Sequence, residues 1–237
     1  MVLRLTRTPA PPLRPILGTV AGIAALWIAS DIGYYALPPL FGMTASYNDH
    51  PVGASVYYAA WCVVALIVFR RWYHGWKPFT PWPGLYVALA AMAVTFTLYA
   101  LLAPSLLPAV DWQETWPAPD ILLAQPSYFL PKSVDILFQQ LLIVALVLSL
   151  HSREHDLRRI SVLCAMLFGV THLLLLFGGL PPIYVVRFTI FATLFGFVFP
   201  WLILRVRNGL VWSYGLHWVY YAVTLVTAHL ISPYMTP

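Results

Sequence analysis

The sequence predicts an all-α fold: a polytopic transmembrane helical bundle of about seven spans, with the N-terminus cytoplasmic and the C-terminus external. Three observations carry that expectation. Of the 237 residues, 61% are hydrophobic and only 9% are charged, whereas a soluble domain carries roughly 25% charged residues. The apolar residues gather into seven runs, each near the ~20 residues that cross a bilayer. The basic residues stand at alternate ends of those runs: Arg4, Arg7 and Arg14, then Arg70, Arg71 and Lys77, then Arg153, Arg158 and Arg159, then Arg205 and Arg207. Only Lys132 and Arg187 fall on the other side, which places the basic side in the cytoplasm.

Residues 1–15, with three Arg and four Pro, read as a flexible cytoplasmic tail. The first span is Ile16 to Leu37; its length and its Trp27, Asp31 and Tyr34 argue for a retained helix and not a cleaved leader. Gly53 to Phe69 and Gly84 to Ala103 follow as the second and third. Residues 16–129 thus hold the N-terminal spans and one long external connection, Pro104 to Lys132. Pro104, Pro108, Pro117, Pro119, Pro126 and Pro131 interrupt that connection, and internal Pro breaks a helical ladder. Its apolar piece Ile121 to Leu130 has the makings of an interfacial or re-entrant helix. Residues 130–237 form the membrane core, with spans at Ser133 to Leu150, Ile160 to Phe177, Tyr184 to Leu204 and Leu210 to Ile231.

Several function classes are excluded at this level. The net charge of +5 is dispersed in short groups at helix ends, with no contiguous patch for nucleic acid. Cys62 and Cys164 lie within apolar runs and read as small buried hydrophobes. Trp72, Trp76, Trp82, Trp112 and Trp116 fall in or beside connecting loops, where aromatic rings meet lipid headgroups. His151 and His155 have metal-binding spacing on a helix, but they sit among Arg153, Asp156, Arg158 and Arg159 and read as a solvated turn. His229 reads as interfacial, and Asp31 as a buried hydrogen-bonding group with Arg187 as its candidate partner.

Polar side chains within the apolar core runs are the functional candidates, because hydrocarbon strips them of water. They are Gln139 and Gln140, His172 and His217. Phe168 stands four residues before His172, hence on the same helical face. Helix rise puts Gln140 about 10 Å and His172 about 8 Å from the external ends of their spans, but His217 about 10 Å from the cytoplasmic end of its own. A common site therefore requires tilt or a lower helix start.

Leu167-Phe168-Gly169-Val170-Thr171-His172, then Gly196 in an aromatic helix running into Arg205 and Arg207, then Trp212-Ser213-Tyr214-Gly215-Leu216-His217, is an order that resembles the CAAX protease and bacteriocin-processing (CPBP) family of intramembrane proteins. The likeness covers about residues 130 to 225. It implies a CPBP-like core in which a Glu-Glu-x-x-x-Arg helix precedes the two histidine helices. In that family a glutamate and the first histidine activate water for cleavage of a membrane-held peptide, and the second histidine with an Asn stabilises the oxyanion. His172 and His217 match those catalytic histidines. Gln139, Gln140, Phe168 and Tyr221 would line the cavity.

The departures carry chemical consequences. Gln139 and Gln140 stand in place of the glutamates, Val144 in place of the arginine, and Tyr221 in place of the Asn. An amide orients water but cannot take its proton, so glutamate-activated hydrolysis is lost. Asp135, one turn before Gln139, is the candidate replacement carboxylate, although Lys132 or Arg187 offers it a simpler role as an ion-pair partner. Two histidines without a carboxylate make a poor zinc site, and no metal ligand set is expected. A tetrapyrrole held by an isolated histidine is a further possibility that no other residue marks. The expectation is a catalytically degenerate CPBP-like protein of the bacterial inner membrane. It would act by binding, as an assembly, stabilising or immunity subunit for another integral membrane protein or a lipidated tail. An active endopeptidase using His172 and His217, and a pigment- or haem-binding subunit of a membrane redox or light-harvesting complex, are the alternatives.

Overall fold

A computed structural model describes residues 13–76, 126–153, 155–176 and 182–231, with isolated positions between 83 and 98. The described residues are all-helical, without a strand. The helices are α1 (Leu13–Ala36), α2 (Pro51–Val68), the short α3 (Arg70–His74), α4 (Phe129–His151), α5 (Leu157–His172), α6 (Pro182–Arg205) and α7 (Gly209–Ile231). Five segments, within α1, α2, α4, α5 and α6 and the turns that extend them, are long and apolar enough to cross a membrane. The architecture is that of an integral membrane protein. The expected third span, the 104–125 part of the long connection, most of the N-terminal tail and the side chain of His229 lie outside the described residues.

Helix α4 is the centre of the bundle. Of its apolar window 67% is buried, against 11% for α1 and 22% for α2, so α4 is enclosed by protein while most of α1 and α2 is not. α1, α2, α5, α6 and α7 all pack on it. α2 and α4 run in the same direction: the Cys62 thiol meets the Val134 carbonyl, and the Tyr73 hydroxyl, just beyond α2, donates to the Leu141 carbonyl at 2.9 Å.

α5 and α6 form the most extensive helix pair, and small residues allow it. A Cβ on Gly196 would land on the Ala165 backbone, and one on Gly169 would land on the Thr193 hydroxyl. Without a hydrophobic drive between helices in lipid, such close backbone approach supplies the packing energy. Between α6 and α7 the chain reverses through Asn208, which adopts the left-handed conformation at φ 60°, and Gly209, whose Cβ would strike the Leu202 carbonyl.

Several boundaries differ from the sequence reading, among them the end of α5, where the α-helix stops at His172 and a 3-10 turn, Leu173–Leu176, follows, and two helix starts. α4 starts at Phe129, one turn before the expected Ser133, because Pro131 falls in the first turn, where a missing N–H costs no ladder bond. Phe129 and Leu130 thereby join the span instead of ending a re-entrant piece, after a 3-10 turn at Pro126–Tyr128. Phe129 is fully buried and stacks on Trp218 at 4.6 Å, which fixes that first turn against α7. α1 likewise begins at Leu13, inside the segment expected as tail.

Candidate functional site

The polar residues of α4 lie on successive turns of its inner surface. Lys132 and Asp135, three apart and both buried, form a 2.7 Å ion pair through Oδ2. One turn deeper, the Gln139 amide donates to the other oxygen, Oδ1, at 2.9 Å. The Lys132 ammonium also sits 4.1 Å from the centre of the Tyr221 ring and 5.6 Å from that of Tyr47, two aromatic faces that stabilise a desolvated cation. Tyr47 belongs to the connection between α1 and α2. Burial, with the Asp135 charge second, holds its phenol well above the ordinary value, so it stays protonated.

Gln140 faces the other way, toward α7. It is fully buried, and its Nε2 lies 3.4 Å from Nδ1 of His217, a long hydrogen bond between two buried groups. An amide nitrogen only donates, so His217 accepts at Nδ1 and, when neutral, carries its proton on Nε2. His172 is held in the opposite sense. Its Nδ1 lies 2.7 Å from the Phe168 carbonyl, which only accepts, so Nδ1 carries the proton and Nε2 presents a lone pair. Phe168 joins the two histidines: its ring centre is 5.0 Å from that of His172 and 6.2 Å from that of His217, edge to face in both cases. Tyr221, one turn after His217, stacks on that imidazole at 5.5 Å.

The structure thus brings Gln140, His217, Phe168, His172 and Tyr221 together, and it places Gln139 and Asp135 in an adjoining ion-pair cluster. The depth offset expected from helix rise does not keep Gln140 from His217; the two meet eleven residues into α4 and eight residues into α7. Asp135 has one oxygen on Lys132 and the other on Gln139, and among the described residues neither histidine has a carboxylate as hydrogen-bond partner. Arg187 donates to the Thr224 hydroxyl at 2.8 Å, so the candidate pairing with Asp31 is not the one formed.

Trp27 is a site residue that the sequence reading left among the ordinary span residues. Its ring lies 5.4 Å from Phe168 and 6.3 Å from His172. Together with Leu142, Ile143, Phe168, Thr171 and Phe199 it lines an apolar cavity of about 90 Å³ where α1 and α5 flank α4. Phe195 and Phe199 of α6 were missed in the same way; they close on His217 at 5.6 and 6.0 Å.

The donor set limits the chemistry. Gln139 and Gln140 leave their Oε1 atoms buried and without a hydrogen-bond partner among the described residues, an unusual state for a native polar atom. Zinc does not fit: it takes three or four N, S or carboxylate ligands, and two imidazoles with neutral amides supply too few. Among the described residues no group of three or more His, Cys, Asp or Glu assembles to hold a metal. A tetrapyrrole does not fit the cavity, since pockets for ligands of that size run to several hundred Å³. The cluster can donate and accept hydrogen bonds in a water-poor place, and the His172 Nε2 lone pair can also accept a proton. Family models, curated proteins and solved structures provide no match to the chain.

Proposed function

We propose that this chain is a catalytically degenerate, CPBP-like integral membrane protein that works by binding a membrane partner, as an assembly, stabilising or immunity subunit. The observation that carries the reading is the environment of the two histidines. Gln140 stands where a general base would need to be, 3.4 Å from His217, and the nearby carboxylate of Asp135 has both oxygens committed elsewhere. General-base hydrolysis needs a group that accepts a proton from water, and a carboxamide has no usable basicity. The polar scaffold is retained without a carboxylate to activate water. Such a scaffold can hold a helix or a lipidated tail through hydrogen bonds that are rare in lipid.

The parallel course of α2 and α4 supports a returning span between them, and so supports the seven-span arrangement with the basic ends in the cytoplasm of a bacterial inner membrane. Purification from the native membrane in mild detergent tests the functional proposal. The expected result is a second membrane protein or lipidated chain in fixed stoichiometry, lost when Gln140 and His217 are replaced together by Leu. A chain that purifies alone from every condition and cleaves a membrane-tethered peptide would overturn it.

A further inference from the structure

A second polar feature lies away from the histidines, where α2 leaves the apolar region and the chain turns into α3. Five residues, Leu66, Arg70, Arg71, Tyr73 and His74, line an open surface groove there, and none of them is acidic. The layering follows the bilayer. Leu66 belongs to the last turn of the apolar α2, and Arg70 comes four residues later, about 6 Å farther along if the rise is helical. Trp72 and Trp76 flank the site as interfacial aromatics do.

The groove is also built, not merely charged. The Arg71 guanidinium is oriented by a 2.7 Å hydrogen bond from Nη2 to the buried Thr19 hydroxyl and lies 4.7 Å from the centre of the Trp72 ring. Trp72 donates to the same hydroxyl at 2.9 Å, tying α3 to α1, and Tyr73 donates to the Leu141 carbonyl at 2.9 Å, tying it to α4. Arg70, Arg71 and His74 are all exposed, so each guanidinium is open to a ligand. Guanidinium groups match the geometry of phosphate oxygens, and a pre-oriented one gives up less freedom on binding.

We propose that this groove binds a phosphate ester, supplied by the headgroup of an anionic membrane phospholipid, with Arg70 and Arg71 on the phosphate, His74 at its edge and Leu66 against the start of an acyl chain. The site is independent of the histidine cluster.

The test uses the full chain in nanodiscs of phosphatidylcholine doped with phosphatidylglycerol, with retained lipid counted by native mass spectrometry. The wild type is expected to retain phosphatidylglycerol in preference to phosphatidylcholine. Arg70→Gln should weaken that retention about fivefold, and R70Q/R71Q about 25-fold, at the scale of one interfacial charge each. Arg158→Gln with Arg159→Gln, an exposed basic pair on α5, should change it less than about twofold, because diffuse surface charge is screened. Arg70 makes no internal bond that its replacement would break, so its single variant keeps the test valid if the double variant fails to fold. Equal losses in the two sets of variants, or no preference for phosphatidylglycerol in the wild type, would overturn the site. Excess inorganic phosphate at constant ionic strength should leave the lipid in place; its displacement by phosphate alone would overturn the lipid as the source.

Discussion

Two polar clusters on α4 lie about one turn apart and are satisfied to different degrees. In the first, Lys132, Asp135 and Gln139 form a chain in which each carboxylate oxygen has a donor and the ammonium rests on two aromatic rings. In the second, Gln140 and His217 share one long bond and His172 is tied to its own helix, while the Gln139 and Gln140 carbonyl oxygens alike have no hydrogen-bond partner among the described residues. The first cluster has the character of glue. The second is joined across helices by one long neutral bond, so far less ties its polar groups to the fold than the charged chain of the first. Sequence proximity is therefore a poor guide to role: Gln139 and Gln140 are adjacent, yet their helical offset of about 100° sends them to different clusters.

Substitutions can break this contrast, and the largest effect belongs to the first cluster. Lys132→Met leaves Asp135 buried and uncompensated, and should cost about 3–5 kcal/mol of stability, read by unfolding in mixed micelles. Adding Asp135→Leu to that variant should restore most of the loss, since replacing both partners of a buried pair is often near neutral. A double variant as unstable as the single one would show that the pair does more than cancel its own charges. Gln139→Leu should come next, at about 1.5–3 kcal/mol for a lost hydrogen bond to a charged group. Gln140→Leu should be the mildest, within about 1 kcal/mol in either direction, because it removes an unpaired carbonyl along with one long bond. A Gln140→Leu loss as large as that of Gln139→Leu would erase the distinction between the clusters.

Much of the fold was legible because the bilayer imposes a simple rule: buried backbone must pair within its own segment, so long apolar runs become helices. The i, i+3 spacing of Lys132 and Asp135 and the i, i+4 spacing of Phe168 and His172 also survive from sequence to structure. The start of α4 did not, since Pro131 reads as a breaker unless its place in the first turn is known. Nor did the contributions of Trp27, Tyr47, Phe195 and Phe199. Each reaches the polar residues from another helix or from a loop, and no periodicity within a single segment encodes which neighbour it meets.

The central claim is that the histidine cluster lacks the carboxylate base of an active enzyme, and cleavage of a membrane-tethered peptide measures this most directly. Wild type, His172→Ala and the Gln139→Glu, Gln140→Glu variant are compared in the same proteoliposomes. The account predicts that the wild type cleaves no faster than His172→Ala, and that any hydrolysis gained by the glutamate variant disappears when His172 is removed from it. Wild-type cleavage that His172→Ala abolishes would contradict the account.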